Sequence, residues 1–291
     1  MLGAIIGDVA GSTYEKDEIL AFKSKTKIPY EDRIKILDKN VPLFKEDSIY
    51  TDDTCLTIAI ADALLNDRNY ELYLKEYGLK EHEKGLDLYG RSRFGSGFID
   101  WLHNKGRSDS YGNGCAMRIS SIPFYLDDLS EIRKEVYKAT IPSHNCNESI
   151  TCVLAVSDAI YMAKNNYSKE EIKKHIENNY FTLDFDLEQL QKNYKFTSKS
   201  YESVPLGIYA FLISNSFEDG IRKAISIGGD TDTIACIAGS ILETYYGIPE
   251  KIKNAVMEYI PNEFKEVVNK MYERKKNLNV KKISRKINRK K

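Results

Sequence analysis

The sequence predicts an all-α protein, and two observations lead to this fold class. Apolar residues recur at three- and four-residue steps, for example at Ile150, Val153, Val156 and Ile160, as the buried stripe of an amphipathic helix requires. Convincing alternation of apolar and polar residues, which marks a half-buried strand, is absent from the sequence. We therefore expect helices packed on helices, without a sheet.

The first predicted helix carries a stripe of glycines. Gly3, Gly7 and Gly11 fall four residues apart, so on a helix they form a smooth strip that a second helix can approach closely. The spacing differs from the GxGxxG of a dinucleotide-binding turn, and no βαβ pattern surrounds it. We expect a central helix here and not a Rossmann fold.

Two later segments, Cys55–Leu65 and Ile234–Leu242, are apolar on nearly every side, which is typical of helices in the centre of a bundle. Amphipathic helices are predicted over three further segments, Ser203–Asn215, Phe217–Ile227 and Pro261–Lys275. The polar stretch from Thr13 to Tyr50 is interpreted as a long irregular segment. Such segments in compact domains are usually lids or binding loops.

Charge is distributed unevenly along the chain. Residues 274–291 carry ten Lys or Arg and no acid, which leaves residues 1–273 with 33 basic and 43 acidic groups. Nucleic-acid binding requires a basic face, so we expect no nucleic-acid partner for the body. The sequence predicts one helical domain over residues 1–273 and a disordered basic tail over residues 274–291. Contact between that tail and an acidic partner is the alternative.

Cysteine usage and the absence of targeting patterns bear on location. The five cysteines are scattered without a CxxC pair, which indicates reduced thiols inside a cell. The first residues lack the basic region of a signal peptide, and no stretch approaches the ~18 apolar residues of a spanning helix. We therefore expect a cytoplasmic protein without a membrane partner.

Two acidic motifs precede the two most apolar helices. Thr51-Asp52-Asp53-Thr54 leads into the first, and Asp230-Thr231-Asp232-Thr233, after two glycines, leads into the second. Helix capping explains one Thr or Asp at each start, but a second carboxylate there needs another reason. Four carboxylates that converge at the end of a core repel one another and are costly to desolvate. Bound divalent cations would remove that cost, so we favour a metal site over capping alone.

The ligand types indicate which metal. Carboxylate and hydroxyl oxygens without His or Cys suit hard ions such as Mg²⁺ or Mn²⁺. Adjacent Asp52 and Asp53 point about 100° apart on a helix, so they serve two neighbouring ions better than one. No His-Asp pair and no DDxxD sequence is present, which argues against a His-Asp phosphohydrolase and a terpene synthase.

A glycine-containing loop, Ser110-Tyr111-Gly112-Asn113-Gly114, opens a further predicted helix. Backbone N–H groups beside glycines can approach a phosphate, and the start of a helix favours an anion. Tyr111 could stack on a base. Taken alone, the loop is equally an ordinary turn, and His144 is equally a surface histidine at a helix start.

Together these segments resemble the ADP-ribosylglycohydrolase family. The family's blocks occur here in order: GDxxGSxYE over 7–15, TDDT over 51–54, GNGxAMR over 112–118, a Ser-His pair at 143–144 and GGDTDT over 228–233. The resemblance covers roughly residues 1–262. Both acidic blocks are complete.

The resemblance implies a fold, two cofactor ions and a set of site residues. The fold would be a single orthogonal bundle of many helices around a dinuclear Mg²⁺ or Mn²⁺ centre. The metal ligands would be Thr51, Asp52, Asp53, Asp230, Asp232 and Thr233. The substrate-binding residues would be Ser110, Tyr111, Gly112, Asn113, Gly114 and His144. Glu15 matches a glutamate that lies on a mobile flap in some members.

The resemblance further implies hydrolysis of the N- or O-glycosidic bond between ADP-ribose and a modified protein side chain or small molecule. A carboxylate must activate water, and Glu15, Asp52 and Asp53 all remain possible. A non-catalytic ADP-ribose-binding or structural protein on the same fold is one alternative. A different helical metal-dependent phosphohydrolase is another, and it would release AMP or phosphate rather than ADP-ribose.

Overall fold

Helix follows helix along the chain, as the sequence predicts. The computed structural model describes residues 1–288, with the side chains of the last helix as far as Leu278. Within these residues two isolated bridges, Asp109 with His144 and Gly112 with Lys199, are the only extended pairings, and no strand is present. The α-helices are α1 (Leu2–Lys23), α2 (Tyr30–Lys35), α3 (Asp52–Leu65), α4 (Tyr70–Glu83), α5 (Ser96–Leu102), α6 (Gly114–Met117), α7 (Ser121–Tyr125), α8 (Leu129–Thr140), α9 (Asn147–Lys164), α10 (Lys169–Asn179), α11 (Leu187–Asn193), α12 (Ser200–Leu212), α13 (Phe217–Ser226), α14 (Thr231–Tyr246), α15 (Glu250–Val256) and α16 (Asn262–Asn288).

The central pair of the bundle is α1 and α14, with α12 and α13 packed against α14 and with α3 beside α1. The glycine stripe makes this contact possible. A Cβ on Gly3 would lie 2.1 Å from the carbonyl oxygen of Gly239, and one on Gly7 would lie 2.0 Å from that of Ala235. The two backbones therefore touch directly. The buried carboxylates described below project from this pair and from the start of α3.

Substitution of Gly7 by alanine is expected to lower the free energy of unfolding by about 3 kcal/mol, because the added methyl overlaps a helix backbone that cannot rotate away. Gly97→Ala in α5 is the matched control, since a Cβ there meets no atom within 4 Å. Urea denaturation of both variants measures the difference. Equal stability of the two would show that the α1–α14 contact relaxes at little cost.

The structure differs from the sequence-based interpretation of residues 13–50. Helix α1 continues to Lys23, so the first part of that stretch is regular, and α2 interrupts the remainder. The buried Arg33 side chain donates to both carboxylate oxygens of Glu18, at 2.9 and 2.7 Å, and to the Ile227 carbonyl at 3.0 Å. Arg222 likewise donates to the carbonyls of residues 36, 38 and 41. These contacts tie the segment to the body, which argues against a lid made of the whole segment.

The expectation of a disordered tail from residue 274 is also not met in the described part of the chain. Helix α16 runs without a break from Asn262 to Asn288. Arg274 donates to the Leu65 carbonyl, and Lys275 donates to Asp127 at 2.6 Å, so both residues belong to the domain. Residues 289–291 of the predicted tail lie outside the described residues. No helix in the part of the chain that the structure describes is long and apolar enough to cross a membrane.

Candidate active site

A cavity of about 1200 Å³ opens beside α1, and its floor lies where α3 and α14 begin. Local sequence explains how both helices start there. The Thr51 hydroxyl caps α3 by accepting from the Asp53 amide at 3.3 Å. Before α14 the chain turns through Gly228 and Gly229, whose φ angles of 85° and 74° are the left-handed region that favours glycine. Both acidic motifs thus point into one space, as the sequence predicts.

Asp8 is a buried carboxylate of this floor that sequence reasoning did not assign. It projects from α1 and accepts from the Thr51 amide at 3.0 Å, the Thr51 hydroxyl at 2.8 Å and the Thr54 amide at 3.0 Å. The Thr54 hydroxyl also donates to it. Asp8 therefore holds the first turn of α3 in position. Its place between Gly7 and Gly11, inside the quoted N-terminal block, was the available signal.

The floor carboxylates form two groups that share one member. One oxygen from each of Asp8, Asp53 and Asp232 lies within 4.8 Å of the others, and the same holds for Glu15, Asp230 and Asp232. Thr233 donates from its hydroxyl to Asp53 at 3.2 Å, and the Thr233 amide donates to Asp232 at 2.8 Å. Asp52 lines the cavity beside these groups without belonging to either. Each of the two groups brings together three carboxylates that could hold a metal ion, and Asp232 belongs to both.

The electrostatics of the floor are those of crowded, buried acids. Burial raises the pKa of Asp52, Asp53 and Asp232 well above the usual range, and neighbouring carboxylates raise these pKa values further. Burial raises the pKa of Asp8 to about 6. Oδ1 of Asp53 is buried without a hydrogen-bond partner in the described structure. An oxygen-only donor set with an unsatisfied buried carboxylate oxygen fits hard divalent cations, which would remove the repulsion.

Glu15 joins the acidic floor to the wall of the cavity, since one of its carboxylate oxygens lies within 4.8 Å of oxygens of Asp230 and Asp232. Its Oε2 accepts from the Arg91 guanidinium at 2.7 Å, and Arg91 is in turn held by Asp87 at 3.0 Å. Burial, together with the charge of Asp230, raises the pKa of Glu15 to about 7, although Arg91 acts in the opposite direction. Arg91 is a second residue that sequence reasoning missed. It lies far from Glu15 in the chain, and no local pattern marks it.

The glycine loop forms another part of the cavity wall. The Asn113 side chain donates to Asp230 at 2.7 Å and to Ser203 at 3.0 Å, which fixes the loop to the acidic floor. The backbone N–H of Gly112 already donates to the Ser110 hydroxyl at 3.1 Å, and that of Asn113 donates to the Ser198 carbonyl at 2.8 Å. Two of the backbone N–H groups of this loop are therefore already paired within the protein.

His144 faces the glycine loop as a neutral side chain. Arg118 donates to the Ser143 hydroxyl at 2.8 Å, and that hydroxyl is hydrogen-bonded to Nδ1 of His144, also at 2.8 Å. The other ring nitrogen, Nε2, lies near Gly112 and Gly114. Burial and the Arg118 charge lower the pKa of His144 well below its usual value.

Arg118 is a buried cation beneath the same loop. Its side chain is fully buried, two of its nitrogens have no hydrogen-bond partner, and burial lowers its pKa to about 10. No carboxylate of a described residue forms an ion pair with it. A buried positive charge without a counter-charge favours an anion in the adjacent cavity.

Most of the predicted site residues therefore meet in one place. All but one of them line the cavity or its floor: Glu15, Thr51, Asp52, Asp53, Ser110, Gly112, Asn113, Gly114, His144, Asp230, Asp232 and Thr233. Tyr111 is the exception, because its side chain is 52% exposed and it is not part of the cavity lining. Fold and site together define an all-α protein with an acidic centre at the base of an open, substrate-sized cavity.

Comparison with known proteins identifies the family. The model of the ADP-ribosylglycohydrolase family matches residues 1–280, so the chain belongs to the ADP-ribosylglycohydrolase family. It is a hydrolase that acts on the glycosidic bond to ADP-ribose. The match extends past the predicted domain boundary at residue 273, in agreement with the continuous helix α16.

Individual relatives are distant but similar over most of their length. ADP-ribosylhydrolase ARH3 of Mus musculus is 25% identical, with 86% of this chain and 83% of that protein covered. ADP-ribosylarginine hydrolase Tri1 of Pseudomonas putida (strain GB-1) is 22% identical, with 85% and 70% covered. A solved structure, an ADP-ribosylglycohydrolase-related protein complex, matches with a TM-score of 0.62 at 18% identity, over 89% of this chain and 94% of that one. That likeness shows a common fold.

Proposed function

We propose that this protein removes ADP-ribose from a modified protein side chain with the help of two divalent cations, Mg²⁺ or Mn²⁺. The observation that carries the proposal is the pair of carboxylate groups that share Asp232 at the floor of the cavity. The names of the relatives, which act on ADP-ribosylated substrates, support the same reaction. All six residues that the family resemblance implies as metal ligands line this cavity, which favours a catalytic role over a purely structural or binding one.

The residues that would hold the ions are those of the floor: Thr51, Asp52, Asp53, Asp230, Asp232 and Thr233. When bound, the cations would neutralise the floor and orient the hydroxyls of the distal ribose beside it. Asp8 has a different task, because four hydrogen bonds from Thr51 and Thr54 already occupy its carboxylate. It fixes Thr51 at the floor.

The diphosphate of ADP-ribose would lie between the glycine loop and His144. With Nδ1 of His144 accepting from the Ser143 hydroxyl, Nε2 would donate to the diphosphate, and the Ser110 hydroxyl, which accepts from the Gly112 amide, would also donate to it. Arg118 supplies a positive charge beneath both groups without direct exposure. Exclusion of water from this buried wall strengthens each of these interactions.

Among the three possible bases we favour Glu15. The buried Asp53 accepts from the Thr233 hydroxyl at 3.2 Å, whereas Glu15 lies where the floor meets the cavity wall and is more exposed than Asp53. Arg91 engages Oε2 of Glu15, so Oε1 is the oxygen that would accept a proton from the attacking water. Arg91 thereby acts as a positioning residue that fixes the direction of the carboxylate.

The direct test uses arginine- and serine-ADP-ribosylated peptides, incubated with and without Mg²⁺ or Mn²⁺, with free ADP-ribose as the measured product. We expect release from one of the two linkages with metal and a loss of at least 100-fold after chelation, because metal stabilisation of developing charge contributes several kcal/mol. Release of AMP or phosphate instead would identify a phosphohydrolase. Binding of free ADP-ribose without turnover of either peptide would favour the non-catalytic alternative.

We also propose that this protein is located in a reducing compartment. All five cysteines are free thiols, and four of them are buried within the helical core. Disulfides persist in oxidising compartments, so a chain that keeps every thiol free is suited to the cytoplasm.

A further inference from the structure

One wall of the cavity is formed by a face of α1 and ends in a partly exposed pair of aromatic rings. Glu15, Ile19, Phe22 and Lys23 follow one another on a single face of α1, so the wall leads from the acidic floor to the protein surface. At the surface Phe22 is 57% exposed, and its ring packs against that of Phe196 with centroids 5.9 Å apart. Both rings line the cavity, and the exposure of Phe22 places the pair at the cavity mouth.

Three lysines lie beside this aromatic pair along the chain. Lys23 ends α1, and Lys25 follows it with its amide bonded to the Phe22 carbonyl at 3.1 Å. Lys195 immediately precedes Phe196, and its side chain is exposed. None of these three lysines forms an ion pair with a described carboxylate, whereas Lys16, Lys192 and Lys199 each form one. We call Phe22, Lys23, Lys25, Lys195 and Phe196 the basic wall.

The basic wall contrasts with its surroundings. The lining of the cavity also includes the carboxylates of Glu81, Asp87, Asp100 and Asp109 and the cations Arg91, Arg93, Lys105 and Arg107. The three arginines among these cations are paired with carboxylates. Residues 19–30 and 189–199, which supply the basic wall, contain no acid, although acids exceed bases over residues 1–273. A local excess of unpaired positive charge on an otherwise acidic body indicates selective attraction of a negative partner rather than general solubility.

We propose that the basic wall recognises acidic residues beside the modification site, so that the preferred substrate is a protein segment with Asp or Glu next to the ADP-ribosylated side chain. The exposed lysines attract the flanking carboxylates, and the Phe22–Phe196 pair gives apolar contact to the intervening chain. This inference rests on the proposed function, since it assigns the acceptor of that same reaction.

A short acidic peptide fits the basic wall better than a nucleic acid does. Charges interact strongly only within a screening length of about 8 Å at physiological salt, so three lysines serve a few neighbouring carboxylates. The phosphates of a polynucleotide extend over more than that distance, so those beyond the three lysines would lie against an acidic surface and be repelled. The basic wall also lacks arginine, the residue best shaped for bidentate phosphate recognition.

The test compares two peptides with the same ADP-ribosylated residue, one flanked by Asp and Glu and the other by Ser and Gly. We expect kcat/KM to be about tenfold higher for the acidic peptide, mainly through KM, and the preference to vanish near 500 mM salt. Lys23→Glu combined with Lys195→Glu should reverse the preference. Lys251→Glu, an exposed lysine of α15 away from the cavity lining, is the matched control and should retain it.

Three results would overturn the inference. These are equal kcat/KM for the two peptides, an unchanged preference in the double variant, and tighter binding of a single-stranded oligonucleotide than of the acidic peptide. Inhibition by free ADP-ribose shows which part of the substrate the lysines contact. If the double variant weakened inhibition by free ADP-ribose as much as it lowered kcat/KM for the acidic peptide, the lysines would bind the diphosphate and the proposal would be contradicted. If neither peptide releases ADP-ribose, the proposed function fails. Fluorescence anisotropy with the labelled peptides then still decides whether acidic flanks are preferred.

Discussion

Asp53→Asn is expected to lower ADP-ribose release by at least about 1000-fold while leaving the protein folded. The substitution keeps the size of the side chain but removes a negative oxygen from the group formed with Asp8 and Asp232. The loss of a cation's stabilising effect on the reacting sugar accounts for several kcal/mol of transition-state energy. Initial rates with an ADP-ribosylated peptide at saturating Mg²⁺ or Mn²⁺ measure the effect.

The same variant should be more stable than the natural protein when metal is absent. Burial and neighbouring carboxylates raise the folded-state pKa of Asp53 well above its unfolded value of about 4. The neutral acid therefore stabilises the fold at low pH, and this contribution is lost as the pH rises and the group ionises. Asparagine does not ionise and avoids that loss. The Tm of metal-free Asp53→Asn should therefore exceed that of the metal-free natural protein by more at pH 8 than at pH 5.

With metal bound, the natural protein should be more stable than Asp53→Asn. Added Mg²⁺ or Mn²⁺ should raise the Tm of the natural protein and have a much smaller effect on Asp53→Asn, because an ion stabilises only the state that binds it. Asp184→Asn, an exposed carboxylate away from the cavity, is the control and should behave like the natural protein. A metal-free Asp53→Asn variant that unfolds well below the control would assign Asp53 to a structural role instead.

Glu15→Gln is expected to reduce kcat about 100-fold and to change the affinity for free ADP-ribose little, because a positioned base contributes to the chemical step rather than to binding. The amide oxygen of glutamine can still accept from Arg91, so the geometry of the wall is kept. Single-turnover kinetics and calorimetry with ADP-ribose separate the two quantities.

Arg91 provides the comparison for that experiment. Arg91→Lys removes the planar guanidinium but keeps a positive charge, and it should reduce kcat less than Glu15→Gln does. Arg91→Met removes the ion pair and should reduce kcat more than Arg91→Lys. Undiminished turnover in Glu15→Gln would exclude Glu15 as the base and leave Asp52 or Asp53 for that role.

The acidic floor was predictable because its signals are local. Doubled acids before an apolar helix are visible within six residues, and they occur at Asp52–Asp53 and again at Asp230–Asp232. The convergence of the two follows from burial, since helices apolar on every side must share one core. Asp8 lies in the same floor but carries a single acid on a glycine-striped helix, a pattern that predicts packing and not chemistry.

Residues that act across long sequence distances were not predictable. Arg91 contacts Glu15 across 76 positions of sequence. The role of Arg118 depends on its being buried with unpaired nitrogens, which only the folded structure shows. The misjudged extent of α1 has a similar cause. After Thr13 one face of that helix borders the cavity rather than a core, so Glu15 and Lys23 stand where a regular helix pattern expects apolar residues.

Because α1 and α14 touch through their backbones, substitutions at the glycine stripe and substitutions at the cavity mouth should have different effects on this protein. Gly7 and Gly11 bring α1 against the backbone of Ala235 and Asp232, so the spacing of the floor carboxylates depends on positions that carry no chemistry. The mouth of the cavity, by contrast, depends on side chains such as Phe22 and Lys195 that touch no part of that contact. A library that randomises the mouth can therefore search for new acceptors with the reaction centre intact. A single methyl group at the glycine stripe would disturb every acceptor equally.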